Sequence, residues 1–216
     1  MKTHNRHLTP LDRLLTTLDN ALNTLTGMPT GSGRANPADG VEQEALTQAE
    51  REEAARLMRV NHVGEICAQA LYQGQSLTSR NETVREALQQ ASIEENDHLR
   101  WCKSRIQMLG GNESRLNLMW YSGAFAIGAV AGAMGDGANL GFVEETEQQV
   151  TKHLSSHLKK LPRSDHKSHA VLTQMRIDEQ RHARMARRAG ATTLPRPMRS
   201  IMRLASRFMT STAYRL

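Results

Sequence analysis

Two tetrapeptides of the chain have the form Glu-x-x-His: Glu95-Asn-Asp-His98 and Glu179-Gln-Arg-His182. At a spacing of three, carboxylate and imidazole leave one helix face about one turn apart, so both can reach one metal ion. One such pair is common on a solvated helix; two, each in the second helix of a hairpin, are a stronger signal. Both interrupt apolar seams, Leu88-Glu95-Cys102-Leu109 with Ala91 and His98, and Leu172-Met175-Glu179-His182-Ala186. A lone carboxylate in such a seam is costly unless a metal or a partner compensates it. A bundle site of this type needs one further Glu from each remaining helix. In an antiparallel hairpin, residues at equal height lie symmetrically about the turn. Reflecting Glu95 across a turn at Arg80 gives Glu65, and reflecting Glu179 across a turn at Arg163 gives Glu147. Glu147 shares its seam with Leu140, Val143, Val150, Leu154 and Leu158, whereas its competitor Glu144 shares a poorer face with Gly137, Gly141, Thr151 and Ser155. Four carboxylates balance two divalent ions, and one imidazole per ion suits iron or manganese better than zinc. The chemistry is oxygen activation or iron oxidation and storage.

The elements that must hold these groups read as helices throughout. Aromatic residues make up 4% of the chain, too few for a β-sandwich or a base-stacking surface. Apolar residues make up 38%, and Ala, Leu, Met, Gln, Glu and Arg abound. The 28 Lys+Arg and 22 Asp+Glu of the 216-residue chain give a net charge of +6. Nine Arg and no acid lie between Gln180 and Leu216, which leaves the rest at −3 and excludes a uniformly basic nucleic-acid coat. Cys67 and Cys102 cannot build a disulfide framework or a cysteine-rich metal site, so both are expected as small core residues in a reducing compartment. Met1 to Pro10 has no apolar run behind its positive charges, so no secretory leader is expected.

Periodicity divides the chain into four parts. Residues 1–26 form an amphipathic helix with a stripe of Leu11, Leu14, Leu15, Leu18, Leu22 and Leu25, and residues 27–45 form a flexible linker. Residues 46–195 form the bundle, with helices from about Thr47 to Leu77, Glu82 to Leu109, Asn139 to Leu161 and Ser164 to Ala189. Residues 196–216 form a basic amphipathic helix, with Met198, Ile201, Met202, Ala205, Phe208 and Met209 on one face and Arg199, Arg203 and Arg207 on the other. Leu116 to Gly135 carries no charge over 20 positions but is rich in Gly and Ala, which favours a closely packed crossover over a membrane span. It is expected to cover one end of the bundle. Of the remaining histidines, His153, His157, His166 and His169 read as surface groups near the second turn, with His153 close enough to Glu147 to support it. Two helical hairpins joined by a crossover describe an all-α, ferritin-like four-helix bundle.

At these residues the chain resembles the demethoxyubiquinone hydroxylases of coenzyme Q biosynthesis. The motifs that carry the resemblance are Arg59-Val-Asn-His-Val-Gly-Glu65, Leu71-Tyr-Gln-Gly-Gln75, Glu95-x-x-His98, Val143-Glu-Glu145 and Asp178-Glu-Gln-Arg-His182. It implies Glu65, Glu95, His98, Glu179 and His182 as ligands of two Fe(2+) ions per chain, and its Val-Glu-Glu text points to Glu144 where the seam points to Glu147. It further implies hydroxylation of a polyprenylated methoxy-benzoquinol, with O2 as co-substrate and electrons from an external donor. No Rossmann fingerprint is present to bind a dinucleotide. The expected partners are that quinol, a membrane surface and other ubiquinone-biosynthesis proteins, with no nucleic acid. The expected location is peripheral, on the cytoplasmic side of the cell membrane. A ferritin-like iron store is the alternative reading of the same ligands.

Overall fold

A computed structural model describes residues 10–26 and 29–216, without the side chains at 10, 11, 13 and 14. Residues 1–9, Gly27-Met28 and the side chains of Leu11 and Leu14 from the leucine stripe therefore lie outside the described residues. Among the described residues every regular element is a helix: α1 (Pro10–Thr26), α2 (Gln48–Thr78), α3 (Glu82–Met108), α4 (Asn117–Ala133), α5 (Asp136–Lys160), α6 (His166–Arg188) and α7 (Arg196–Arg215). The fold is all-α, and the four long helices begin and end within a few residues of the positions expected.

Capping chemistry sets these boundaries. Thr47 and Glu50 form a capping box at the start of α2. Asn81 accepts from the Thr83 and Val84 amides to start α3, and Asp165 accepts from the Ser168 amide to start α6. Asp165 also takes a buried ion pair from Arg105 at 2.6 Å, which ties the second hairpin's turn to α3. Helices α2 and α3 form one hairpin and α5 and α6 the other, with α3 against α6 and α2 against α5. Leu57, Met58, Cys102, Leu154, Leu172 and Met175 fill the core at one end of the bundle; Tyr72, Leu88, Leu140 and Val143 fill it at the other.

The crossover α4 does not cover a bundle end. It lies along the second half of α2, and glycines are the reason. A Cβ on Gly128 would stand 2.3 Å from the Leu71 carbonyl oxygen, and one on Gly74 would stand 2.3 Å from that of Phe125. The two backbones thus meet directly over a length that an end-on crossing could not supply. Thr78 Oγ1 adds a hydrogen bond to the Ala129 carbonyl at 2.8 Å. Among the described residues no helix is long and apolar enough to cross a membrane.

Helices α1 and α7 also lie against α2. From α1, Ala21 and Leu25 face inward while Leu15, Leu18 and Leu22 are exposed. From α7, Met198, Met202 and Met209 pack inward, and Arg59 donates to the Ala213 and Tyr214 carbonyls at 2.8 and 2.9 Å. Between α1 and α2, residues 29–46 cross the bundle with specific contacts: Pro29 and Ala38 are buried, and Gln43 donates to the Ser164 carbonyl at 2.7 Å.

Candidate metal centre

Each of the four long helices places one carboxylate at the bundle axis. Glu65 comes from α2, Glu95 from α3, Glu147 from α5 and Glu179 from α6, and none is more than 2% exposed. The two Glu-x-x-His helices add His98 and His182, equally buried. The six side chains form two overlapping groups of four, Glu65-Glu95-His98-Glu179 and Glu95-Glu147-Glu179-His182, each with its donor atoms within 4.8 Å of one another. Glu95 and Glu179 are common to both, so they stand where bridging groups would, with Glu65 and Glu147 at the flanks. Glu144 is not among them. It turns outward to pair with Arg187 and accepts from Gln148 at 2.9 Å. The apolar seam, rather than the Val-Glu-Glu text, marks the α5 residue that joins the cluster.

Both imidazoles present Nδ1 to the carboxylates. His98 Nδ1 lies 2.9 Å from Glu95 and 3.1 Å from Glu179; His182 Nδ1 lies 2.9 Å from Glu95 and 3.2 Å from Glu179. Their outer nitrogens are held by acids from the opposite helix. Asp178 of α6 accepts from His98 Nε2 at 3.0 Å, and Glu94 of α3 accepts from His182 Nε2 at 3.1 Å. Each acid immediately precedes a cluster carboxylate, so every Acid-Glu-x-x-His segment both supplies a pair and anchors the other's histidine. Arg181 bridges the two acids from outside. Such outer partners fix ring orientation and raise basicity. Sequence reasoning missed Glu94 and Arg181 and gave Asp178 no role; the signal available was an acid directly before each Glu-x-x-His. It placed Tyr72 in a motif without a role; the residue is fully buried and its hydroxyl donates to Glu147.

Electrostatics follow from burial. Burial pushes the Glu65 carboxyl well above its usual range, with the Glu95 and Glu179 charges acting in the same direction. Glu147 is raised for the same reasons. Burial would raise Glu95 too, but His98 and His182 hold it well below the usual range. Burial works against a charged imidazole at both histidines, yet the surrounding carboxylates raise both. Four buried carboxylates thus require about as many positive charges or protons beside them. Glu95 Oε1 and Glu179 Oε1 face His182 Nδ1 and His98 Nδ1 at 2.9 and 3.1 Å without hydrogen-bond geometry. A shared carboxylate pair, two imidazoles with Nδ1 turned to it and two flanking carboxylates is a donor set for two divalent cations.

Among the described residues the other histidines do not join the centre. His153 packs against His157 with ring centroids 3.9 Å apart and planes tilted by 57°, and its Nε2 has no hydrogen-bond partner. His157, expected at the surface, is buried because its Nδ1 meets Asn61 Oδ1 at 3.1 Å across the α2–α5 contact. Cys102 is a core residue beside Met175.

Comparison with known proteins bears on what this arrangement is for. The chain is 52% identical over 206 residues to a protein of Chromobacterium violaceum named 3-demethoxyubiquinol 3-hydroxylase, covering 95% of this chain and 100% of that one. It is 54% identical over 208 residues to a protein of the same name from Cupriavidus pinatubonensis, with 95% and 100% covered. A third, from Nitrosomonas eutropha, is 51% identical over 204 residues, with 94% and 98% covered. The family model described as ubiquinone biosynthesis protein COQ7 matches residues 52–213, which run from the first turns of α2 into the last turn of α7. With all six cluster residues inside that match, the chain belongs to the COQ7 family of ubiquinone biosynthesis.

Proposed function

We propose that the chain is an O2-dependent hydroxylase that converts a polyprenylated methoxy-benzoquinol to its ring-hydroxylated product at a centre of two iron ions. One observation carries this reading: two four-donor groups share Glu95 and Glu179 in a chain about half identical to proteins named 3-demethoxyubiquinol 3-hydroxylase. Glu65, Glu95 and His98 would hold one ion and Glu147, Glu179 and His182 the other, with Glu95 and Glu179 able to bridge. The two ions would supply O2 binding and the electrons for its reduction. The protein's residues supply the rest. Tyr72 holds Glu147, and Asp178 and Glu94 hold the imidazoles with Nδ1 inward. In balance, one oxygen atom replaces a ring hydrogen as hydroxyl, and the other leaves as water with two protons and two electrons from an external donor.

The substrate is too apolar to cross water, so the enzyme must meet it at a bilayer. Exposed apolar residues on α1, α4 and α7 and the arginines of α7 support a peripheral site on the cytoplasmic face of the cell membrane. The test is anaerobic iron loading of the full chain, then O2 with a demethoxy-quinol. The expected outcome is two iron per chain and a product heavier by one oxygen atom, labelled from 18O2. Iron oxidation with no quinol product would overturn the reading and leave an iron store.

A further inference from the structure

The strap of residues 29–34 runs ahead of the matched residues 52–213, yet it is sewn to the helix that carries His98. Asn96 Nδ2 donates to the Thr30 carbonyl at 2.9 Å, and both the amide and the hydroxyl of Ser32 donate to Asp97. A Cβ on Gly31 would stand 2.0 Å from Asp97 Oδ1, so any side chain there must displace the buried Asp97 carboxylate or the strap itself. This seat delivers Arg34. Its Nη2 donates to Asp178 Oδ2 at 2.7 Å and lies 3.4 Å from His98 Nε2; its Nε lies 3.5 Å from Asp97. The guanidinium also stands 4.9 Å from the ring centre of Trp101, which in turn packs on His98.

The two imidazoles are therefore anchored differently. His182 leans on Glu94 and Arg181, both from the hairpins themselves. The oxygen of Asp178 that holds His98 is instead clamped by an arginine from outside the bundle. We infer that the strap is a working part of the metal centre, and that Arg34 is a positioning residue that keeps His98 Nδ1 turned to Glu65, Glu95 and Glu179. The inference rests on the di-iron reading and makes it unequal: without Arg34 the ion held by His98 loosens, while the ion held by His182 does not. Loss of such an outer partner lowers metal affinity about 10–100-fold.

The experiment strips metal from the full-length chain and titrates it anaerobically with Co(II), following visible absorption and bound metal. Wild type should take up two ions. Arg34→Ala should weaken one step about 10–100-fold and change the spectrum of that ion, with the other step unchanged. Arg34→Lys, which keeps a donor and the charge, should restore part of the loss. Gly31→Val, which lifts the strap with Arg34 intact, should reproduce the single-site defect. Unchanged titrations in Arg34→Ala, or in Gly31→Val, would overturn the inference. Equal weakening of both steps with a lower Tm would overturn it as well, because the strap would then only stabilise the fold. A wild-type chain that takes up fewer than two ions would overturn the di-iron reading itself, and this inference with it.

Discussion

At the scale of single residues, Glu144 and Glu147 show how a core distinguishes near-identical side chains. They sit one turn apart on α5, but Val143 and Leu154 beside Glu147 are buried, so that carboxylate can only turn to the axis. Glu147→Ala is expected to leave fewer than two iron per chain and no hydroxylated product. Glu144→Ala breaks a half-exposed pair with Arg187 and a hydrogen bond from Gln148 and should keep both ions, at a stability cost of about 1 kcal/mol. Metal analysis and product mass check both; the reverse order would place the site's edge, and not its ligand, at Glu147. Alanine at Glu95, His98, Glu179 or His182 should each abolish turnover, and double variants should be little worse, because the ligands act as one unit. Five of the six cluster residues were legible in the sequence, and Glu147 was favoured over Glu144 by its seam alone, because helix period and hairpin reflection are geometric. Glu94, Asp178 and Arg34 were not. Their role depends on which acid of one helix faces the imidazole of another, and on a strap that has no periodicity to read.

At the scale of elements, helix bounds followed from caps and seams, but the place of α4 did not, since a glycine shows in sequence only that close approach is possible. Gly128→Ala would drive a methyl into the Leu71 carbonyl and should cost about 1–3 kcal/mol. Gly123→Ala, on the same helix with open space around it, should be neutral or gain about 0.5–1 kcal/mol. Thermal melts of the two variants distinguish packing from helix propensity. Acid stability also belongs to element contacts. Burial lowers His62 and His153 to about 4 and His157, beside His153, to about 2. An unfolded chain regains the ordinary value of about 6.5, so it binds protons that the folded chain refuses. Stability from these groups is therefore full above that pH and falls as pH drops from about 6.5 toward 4, by about 2 kcal/mol per histidine between pH 7 and 5. Urea midpoints across that range should fall, and His62→Gln with His157→Gln should flatten the slope. An unaltered slope would show that these rings are not the groups that titrate.

At the scale of the whole molecule, the helices outside the four-helix core share one flank, and large apolar side chains stand exposed on it. Ile201, Leu204 and Phe208 of α7 are 68%, 69% and 62% exposed, and Leu118 and Val130 of α4 are 66% and 64% exposed. The methionines of α7 already pack inward, so these side chains are left over from folding, and a patch of this kind marks an interaction site. Arg203 and Arg207 stand exposed among them, which suits an anionic bilayer interface in which rings and branches dip below the phosphates. Arg199 is a poorer probe, because its Nε is buried without a partner. Reversing Arg203 and Arg207 to Glu removes attraction of about 1 kcal/mol per arginine and adds repulsion, so binding to anionic vesicles should weaken about 30-fold or more at low salt. The difference should shrink as salt screens it. Turnover should divide by substrate: a short-chain quinol, soluble in water, should react as before, whereas a long-chain quinol in vesicles should not. Equal loss on both substrates with a lower Tm would show instead that the flank serves the fold. Vesicle binding unaffected by the reversal would show that the apolar residues alone carry the contact, and the matched test is then Ile201→Ser with Leu204→Ser.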